Sequence, residues 1–134
     1  MSDERSLAEH LQTFAAALAR LQDALAQPKS QWTRDAAIQR FEFTVELAWK
    51  TIQRVAAREG VECLSPRQAF RVAAQLGWIS DVALWLDMLD DRNRSSHTYN
   101  ESTAELIYSH LAAYATGLDQ LLAQLRATVG NQGR

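Results

Sequence analysis

A rhythm of three and four between apolar residues restricts this chain more than any other feature. Leu7, Leu11, Phe14, Leu18, Leu21 and Leu25 follow at steps of 4, 3, 4, 3 and 4. Ile38, Phe41, Val45, Ala48, Ile52 and Val55 repeat the pattern, as do Ile107, Leu111, Tyr114, Leu118, Leu121 and Leu125. A helix turns once in about 3.6 residues, so such steps line one of its faces. Three long helices are therefore predicted. The first is capped by Ser2 or Asp3 and ends near Pro28. The second spans about Thr33 to Glu59 and stops at Gly60, and the last reaches about Val129. Only 5 Gly and 2 Pro are available for turns, which argues against a β-rich fold.

Two shorter helices fill the middle. In "LSPRQAFRVAAQLG", Ser65 reads as an N-cap, Pro66 as the first helical residue and Gly77 as the stop. In "SDVALWLDMLDDRNR", Ser80 or Asp81 caps a helix with Val82, Leu86 and Leu89 on one face. Ser102 and Glu105 have capping-box spacing for the last helix, with Thr98 and Asn100 as earlier starts. The expected fold is all-α: an antiparallel, up-and-down bundle of about five helices. It forms one domain over 1–129, followed by a flexible tail at 130–134. The second helix also carries Phe43, Leu47 and Trp49 off its main stripe. Apolar residues on two faces suit a central helix or one that meets a second subunit. The same two roles, core filling or a subunit interface, are expected of Trp32, Trp49, Trp78 and Trp85.

A net charge of −2 and a pI near 5.9 argue against a surface that coats nucleic acid. A local site for one phosphate stays open. Cys63 is the one cysteine, so no internal disulfide forms, and a reducing cytoplasm is the expected location. The first residues, "MSDERSLAEH", lack the apolar run of a signal peptide. No run reaches the roughly 20 apolar residues of a membrane span. His10, His97 and His110 are scattered, with no Glu-x-x-His pair and no paired cysteines, so neither a metal site nor a cofactor is expected.

The chemistry concentrates in "DRNRSSHTYN", residues 91–100. Arg92 is read as ending one helix, with His97 and Tyr99 in a polar turn before the next. A guanidinium can grip a phosphate with two donors, and an imidazole can move a proton near neutral pH. Together they could hold a phosphodiester and assist attack by a ribose 2′-hydroxyl. Helix capping accounts for the same residues: arginines satisfy terminal carbonyls, and Asn, Ser and Thr make turns. Glu42, Glu46 and Lys50 form one column on the second helix. It is either a solvated face or one aimed at a partner or at Arg92.

The stretch "RNRSSHTY" has the form R-x4-H-x-Y. It resembles the signature of the HEPN superfamily, and of its HepT branch. "FEFTVELAWKTIQ" and "SPRQAFRVAAQLGWI…WLDMLDDRNRSSHTYNE" are similar to the nucleotidyltransferase substrate-binding proteins, and the resemblance covers nearly the whole chain in order. It implies a HEPN-like helical bundle, a homodimer, and a partner: a separate minimal nucleotidyltransferase encoded nearby. In the substrate-binding reading, this chain is the accessory half that holds substrate for that enzyme. In the HepT reading, it is a metal-independent ribonuclease toxin whose partner adds AMP to the motif tyrosine. The resemblance then implies that Arg92 holds the scissile phosphate and His97 is the general acid and base. Asn93 matches the polar position after the arginine, and Tyr99 the modification site. Glu42, Glu46, Trp49 and Lys50 match the second-helix pattern without an assigned role. RNA or a nucleotide is the implied ligand.

Overall fold

The computed structural model describes residues 2–97 and 100–132; Thr98 and Tyr99 lie outside the described residues. Five helices are described: α1 (Ser2–Ala26), α2 (Gln31–Arg58), α3 (Pro66–Gln75), α4 (Val82–His97) and α5 (Glu101–Gln132), with no strand among the described residues. No helix described is long and apolar enough to cross a membrane.

Local chemistry sets the ends. Ser30 caps α2 through its hydroxyl, which accepts from the Thr33 amide at 3.1 Å, while the Thr33 hydroxyl accepts from the Ser30 amide at 2.8 Å. Ser65 caps α3, with Pro66 in its first turn, and the Asp81 carboxylate accepts from the Leu84 amide at the start of α4. Helices α2 and α3 end alike. Gly60 and Gly77 both take φ +80°, and the two amides that follow each C-cap bond back to carbonyls of the last turn. A Cβ disfavours that backbone, which is why glycine stands at both positions.

Side-chain pairs give the directions. Arg40 reaches the Arg20 carbonyl, so α1 and α2 run antiparallel. Glu42 meets Ser95 and Ser96 while Glu46 meets Arg92, so α4 also opposes α2. Asp91 meets His110 while Leu84 lies beside Gly117, so α5 opposes α4 and runs with α2. The four long helices thus go down, up, down and up, with α3 bridging α2 and α4.

The predicted stripes of α1, α2 and α5 are the core: Phe14, Leu18, Leu21, Ile38, Phe41, Ile52, Leu111 and Leu118 are almost fully buried. Helix α4 is turned from its expected face. Its buried residues are Trp85, Met88, Leu89, Asp91 and Ser95, and Val82 and Leu86 are only half-buried. Two polar residues occupy inward positions, which is why an apolar pattern alone misplaced the stripe. The tryptophans divide. Trp78 and Trp85 are core, Trp49 is half-buried, and Trp32 is 85% exposed. Phe43, on the second face of α2, is also exposed.

Candidate phosphate-handling face

Arg92, Asn93 and His97 are helical residues of α4, which continues to His97. The expected polar turn is therefore shorter than read, and its start is corrected. Ser, Asn and Arg are all compatible with a last helical turn, and Ser95 and Ser96 return hydroxyls to the Arg92 carbonyl at 2.9 and 3.1 Å. The cap of α5 is Asn100, whose side chain accepts from the Thr103 amide at 2.9 Å, not Ser102. Glu105 is occupied elsewhere.

Helix α2 faces this last stretch of α4 with a carboxylate column. Glu42 Oε2 accepts from Ser95 Oγ at 2.9 Å and Ser96 Oγ at 2.7 Å. Each hydroxyl has one proton, so each serves either Glu42 or the Arg92 carbonyl at any moment. Glu46 is shared three ways: Oε2 accepts from Trp49 Nε1 at 3.1 Å and pairs with Arg92 Nη2 at 3.5 Å, and Oε1 pairs with Lys50 Nζ at 3.3 Å. The acidic column thus points at Arg92, one of its two expected roles.

Arg92 is poorly supplied. Asn93 Oδ1 is 3.5 Å from Nη1, the Glu46 pair is equally long, and Nε is buried without a hydrogen-bond partner. Those distances lie at the outer edge of a hydrogen bond. Nε has no partner, and the terminal nitrogens Nη1 and Nη2 have only these long contacts.

His97 is exposed on the last residue of α4. It stands five positions after Arg92, so the two side chains leave the helix about 140° apart. Among the described residues no hydrogen bond or ion pair joins them. One chain brings Arg92 together with Glu46, Asn93, Trp49 and Lys50, and does not bring His97 to it. Tyr99, the expected modification site, lies outside the described residues.

Two further clusters border this face, and the sequence reading missed both. Asp91, only 4% exposed, receives Tyr114 Oη at 2.5 Å, His110 Nδ1 at 2.8 Å and Arg94 Nη1 at 3.3 Å. Burial first, and the Asp91 carboxylate second, hold the Tyr114 phenol well above its usual range. Arg34, also 4% exposed, forks onto Glu101 at 2.7 and 3.0 Å and reaches Glu105 at 3.1 Å and Asp35 at 3.0 Å. Lys29 Nζ joins Glu105 at 2.6 Å. Arg34 lowers the Glu101 carboxyl below the usual range, and Lys29 followed by Arg34 does so for Glu105. These bonds fasten the first turn of α5 to α2, directly after the motif. A charged residue at an inward helical position was the available signal in both cases.

Residues 9–127 match the model of a family described as nucleotidyltransferase substrate binding protein like. A curated relative from Haemophilus influenzae, named probable ribonuclease HepT, is 32% identical over 95 residues; the match covers 67% of this chain and 65% of that protein. A crystal structure from Thermus thermophilus is similar at 41% identity and TM-score 0.79, covering 84% of this chain and 98% of that one. An H. influenzae structure, reported to reveal the fold of a substrate binding domain of a nucleotidyltransferase, has 28% identity and TM-score 0.74, covering 87% of this chain and 98% of that one. A Shewanella oneidensis HEPN toxin, solved tri-AMPylated with an MNT antitoxin, shares the fold at 16% identity and TM-score 0.74, covering 90% and 96%. Model, fold and residue pattern agree: this chain belongs to the nucleotidyltransferase substrate binding protein-like family.

Proposed function

We propose that this chain is the accessory, substrate-holding subunit of a separate minimal nucleotidyltransferase, and that Arg92 grips a phosphate group of the bound nucleotide or substrate. The observation that carries this reading is the under-supplied guanidinium. Arg92 has one buried, unpartnered nitrogen and two long contacts, beside a carboxylate it shares with Trp49 and Lys50. An oxyanion forked across the terminal nitrogens Nη1 and Nη2 would supply what those long contacts do not. The family match over 9–127 supports the partner, as does the S. oneidensis toxin solved with its MNT antitoxin. Glu42, with Ser95 and Ser96, holds this end of α4 against α2. Tyr99 is the residue proposed to accept a nucleotidyl group from the partner, and Asn93 the polar neighbour of the grip.

A homodimer belongs to this proposal. Arg92 and His97 diverge on one helix, so a second copy packed on the same face would let His97 of one chain approach Arg92 of the other. The exposed Phe43 and half-buried Leu47 and Trp49 on α2 support such packing.

The H. influenzae relative favours a second reading, a ribonuclease of the HepT kind. Here His97 takes the proton from a ribose 2′-hydroxyl, the oxygen attacks the adjacent phosphorus, and the P–O5′ bond breaks. The leaving oxygen takes a proton, and a 2′,3′-cyclic phosphate remains. Arg92 balances the charge that develops on the phosphate.

One experiment separates the two. Pure protein is incubated with RNA in chelator, alone and as its His97→Ala and Arg92→Ala variants. The accessory reading expects no cutting by any of them, and weaker nucleotide binding by Arg92→Ala. Metal-independent cutting that His97→Ala reduces by roughly 10²–10⁴-fold establishes the ribonuclease and overturns the accessory reading.

A further inference from the structure

Helix α4 has a second polar face, about 100° round the helix from Arg92 and toward α5. At its centre the buried Asp91 carboxylate holds the His110 ring through Nδ1 at 2.8 Å. A carboxylate only accepts, so the proton lies on Nδ1, and in the neutral ring the lone pair is on Nε2. Nε2 has no hydrogen bond among the described residues, and the imidazole is 40% exposed. The Tyr114 ring packs beside it, with centroids 5.8 Å apart, and the Tyr114 hydroxyl fixes the other side of the same Asp91 oxygen. In its neutral form the imidazole is a pinned acceptor with an open end.

His110 lines a cavity of about 380 Å³, together with Asp87, Asp90, Arg94 and Ser109 among others. The volume falls among clefts that hold small molecules, roughly 300–1,000 Å³. A ligand must bring a donor to Nε2, either a hydroxyl or an ammonium. The wall decides between them. Arg94 is engaged with Asp91, Asp90 meets Arg67 only at 3.6 Å, and Asp87 has no ion pair or hydrogen bond among the described residues. This surplus of carboxylate repels a phosphate and attracts a cation. An ammonium satisfies both the imidazole and the carboxylate.

We infer that the Asp91–His110 pair and its cavity bind a protonated primary amine of a small organic molecule, which donates to His110 Nε2 and is neutralised by Asp87. The site is separate from the phosphate grip that it borders, and its test needs neither partner nor RNA. The full chain, with ¹⁵N-labelled histidine, is titrated with 1,3-diaminopropane and, separately, with tetramethylammonium, a cation without an N–H donor. The diamine is expected to move the His110 Nε2 resonance saturably while His10 and His97 stay in place, and tetramethylammonium to leave it unmoved. His110→Phe and the isosteric, surface-placed Asp87→Asn should each weaken diamine binding roughly tenfold or more, with helicity checked by circular dichroism. An equal response to both cations, no saturable shift, or unchanged affinity in folded Asp87→Asn overturns the assignment.

Discussion

Replacing Tyr114 by phenylalanine removes one oxygen from the core and keeps the ring. Tyr114 is 3% exposed and stacks on Phe41 with centroids 5.4 Å apart, so the packing survives. What is lost is the donor to Asp91 Oδ2. A hydrogen bond to a charged group contributes about 1.5–3 kcal/mol. Asp91 keeps His110 and Arg94, and the variant no longer buries a hydroxyl, so the lower end applies, about 1.5–2 kcal/mol. For a domain of this size, at about 3–5 °C per kcal/mol, Tm should fall by roughly 5–10 °C. Urea and thermal unfolding followed by circular dichroism measure both. The alkaline limb gives a second reading. The folded phenol is held above its usual range, while an unfolded one ionises near about pH 10. Its contribution is therefore whole below about pH 10 and declines above it, by at most about 1.4 kcal/mol per pH unit. Tyr114→Phe should remove that part of the slope. A stability loss under about 0.5 kcal/mol, or an unchanged alkaline slope, would refute the account of the Asp91 cluster.

Arg34→Met should lower stability near neutral pH and weaken its acid dependence. The depressed Glu101 and Glu105 carboxyls contribute above the ordinary glutamate range and lose that contribution as pH falls through their folded values. The difference between wild type and variant should therefore shrink between about pH 5 and pH 2, read from urea midpoints. Gly60→Ala should cost about 1–2 kcal/mol through backbone strain alone, since φ is +80° and nothing lies near the added methyl; an unchanged urea midpoint would contradict this. Glu46→Gln frees Arg92 and Lys50 from a shared carboxylate, so nucleotide should bind roughly two- to fivefold tighter by calorimetry, the opposite of Arg92→Ala.

The long helices were legible because their apolar residues are unbroken: every predicted stripe residue from Ile38 to Val55 and from Ile107 to Leu125 is buried. Ser65, Pro66 and Gly77 were legible because caps act over a few residues. Helix α4 was not, since Asp91 and Ser95 stand at inward positions where an apolar pattern has gaps. The motif's residue types were visible, but its backbone was not: a run of Arg, Asn and Ser reads as a turn, while contacts from Glu42 and Glu46 hold it as helix. The Arg34 cluster joins residues 67 and 71 positions apart, and the Glu101–Glu105 step along α5 gave no sign of the arginine between them.

The parallel course of α2 and α5 bears on how the molecule comes into being. Helices α1 and α2 are neighbours in sequence and can pair early, because closing a short loop costs little entropy. Phe41, however, completes its packing against Tyr114, and Arg34 finds its carboxylates only at Glu101 and Glu105. During synthesis these side chains wait for more than sixty residues to follow. A nascent chain that has released only α1 to α4 already holds every residue of the phosphate face, yet its core is open along the seam that α5 will close. Chains interrupted at that stage present apolar surface to chaperones and proteases, which ties the appearance of the phosphate face to the arrival of the last helix.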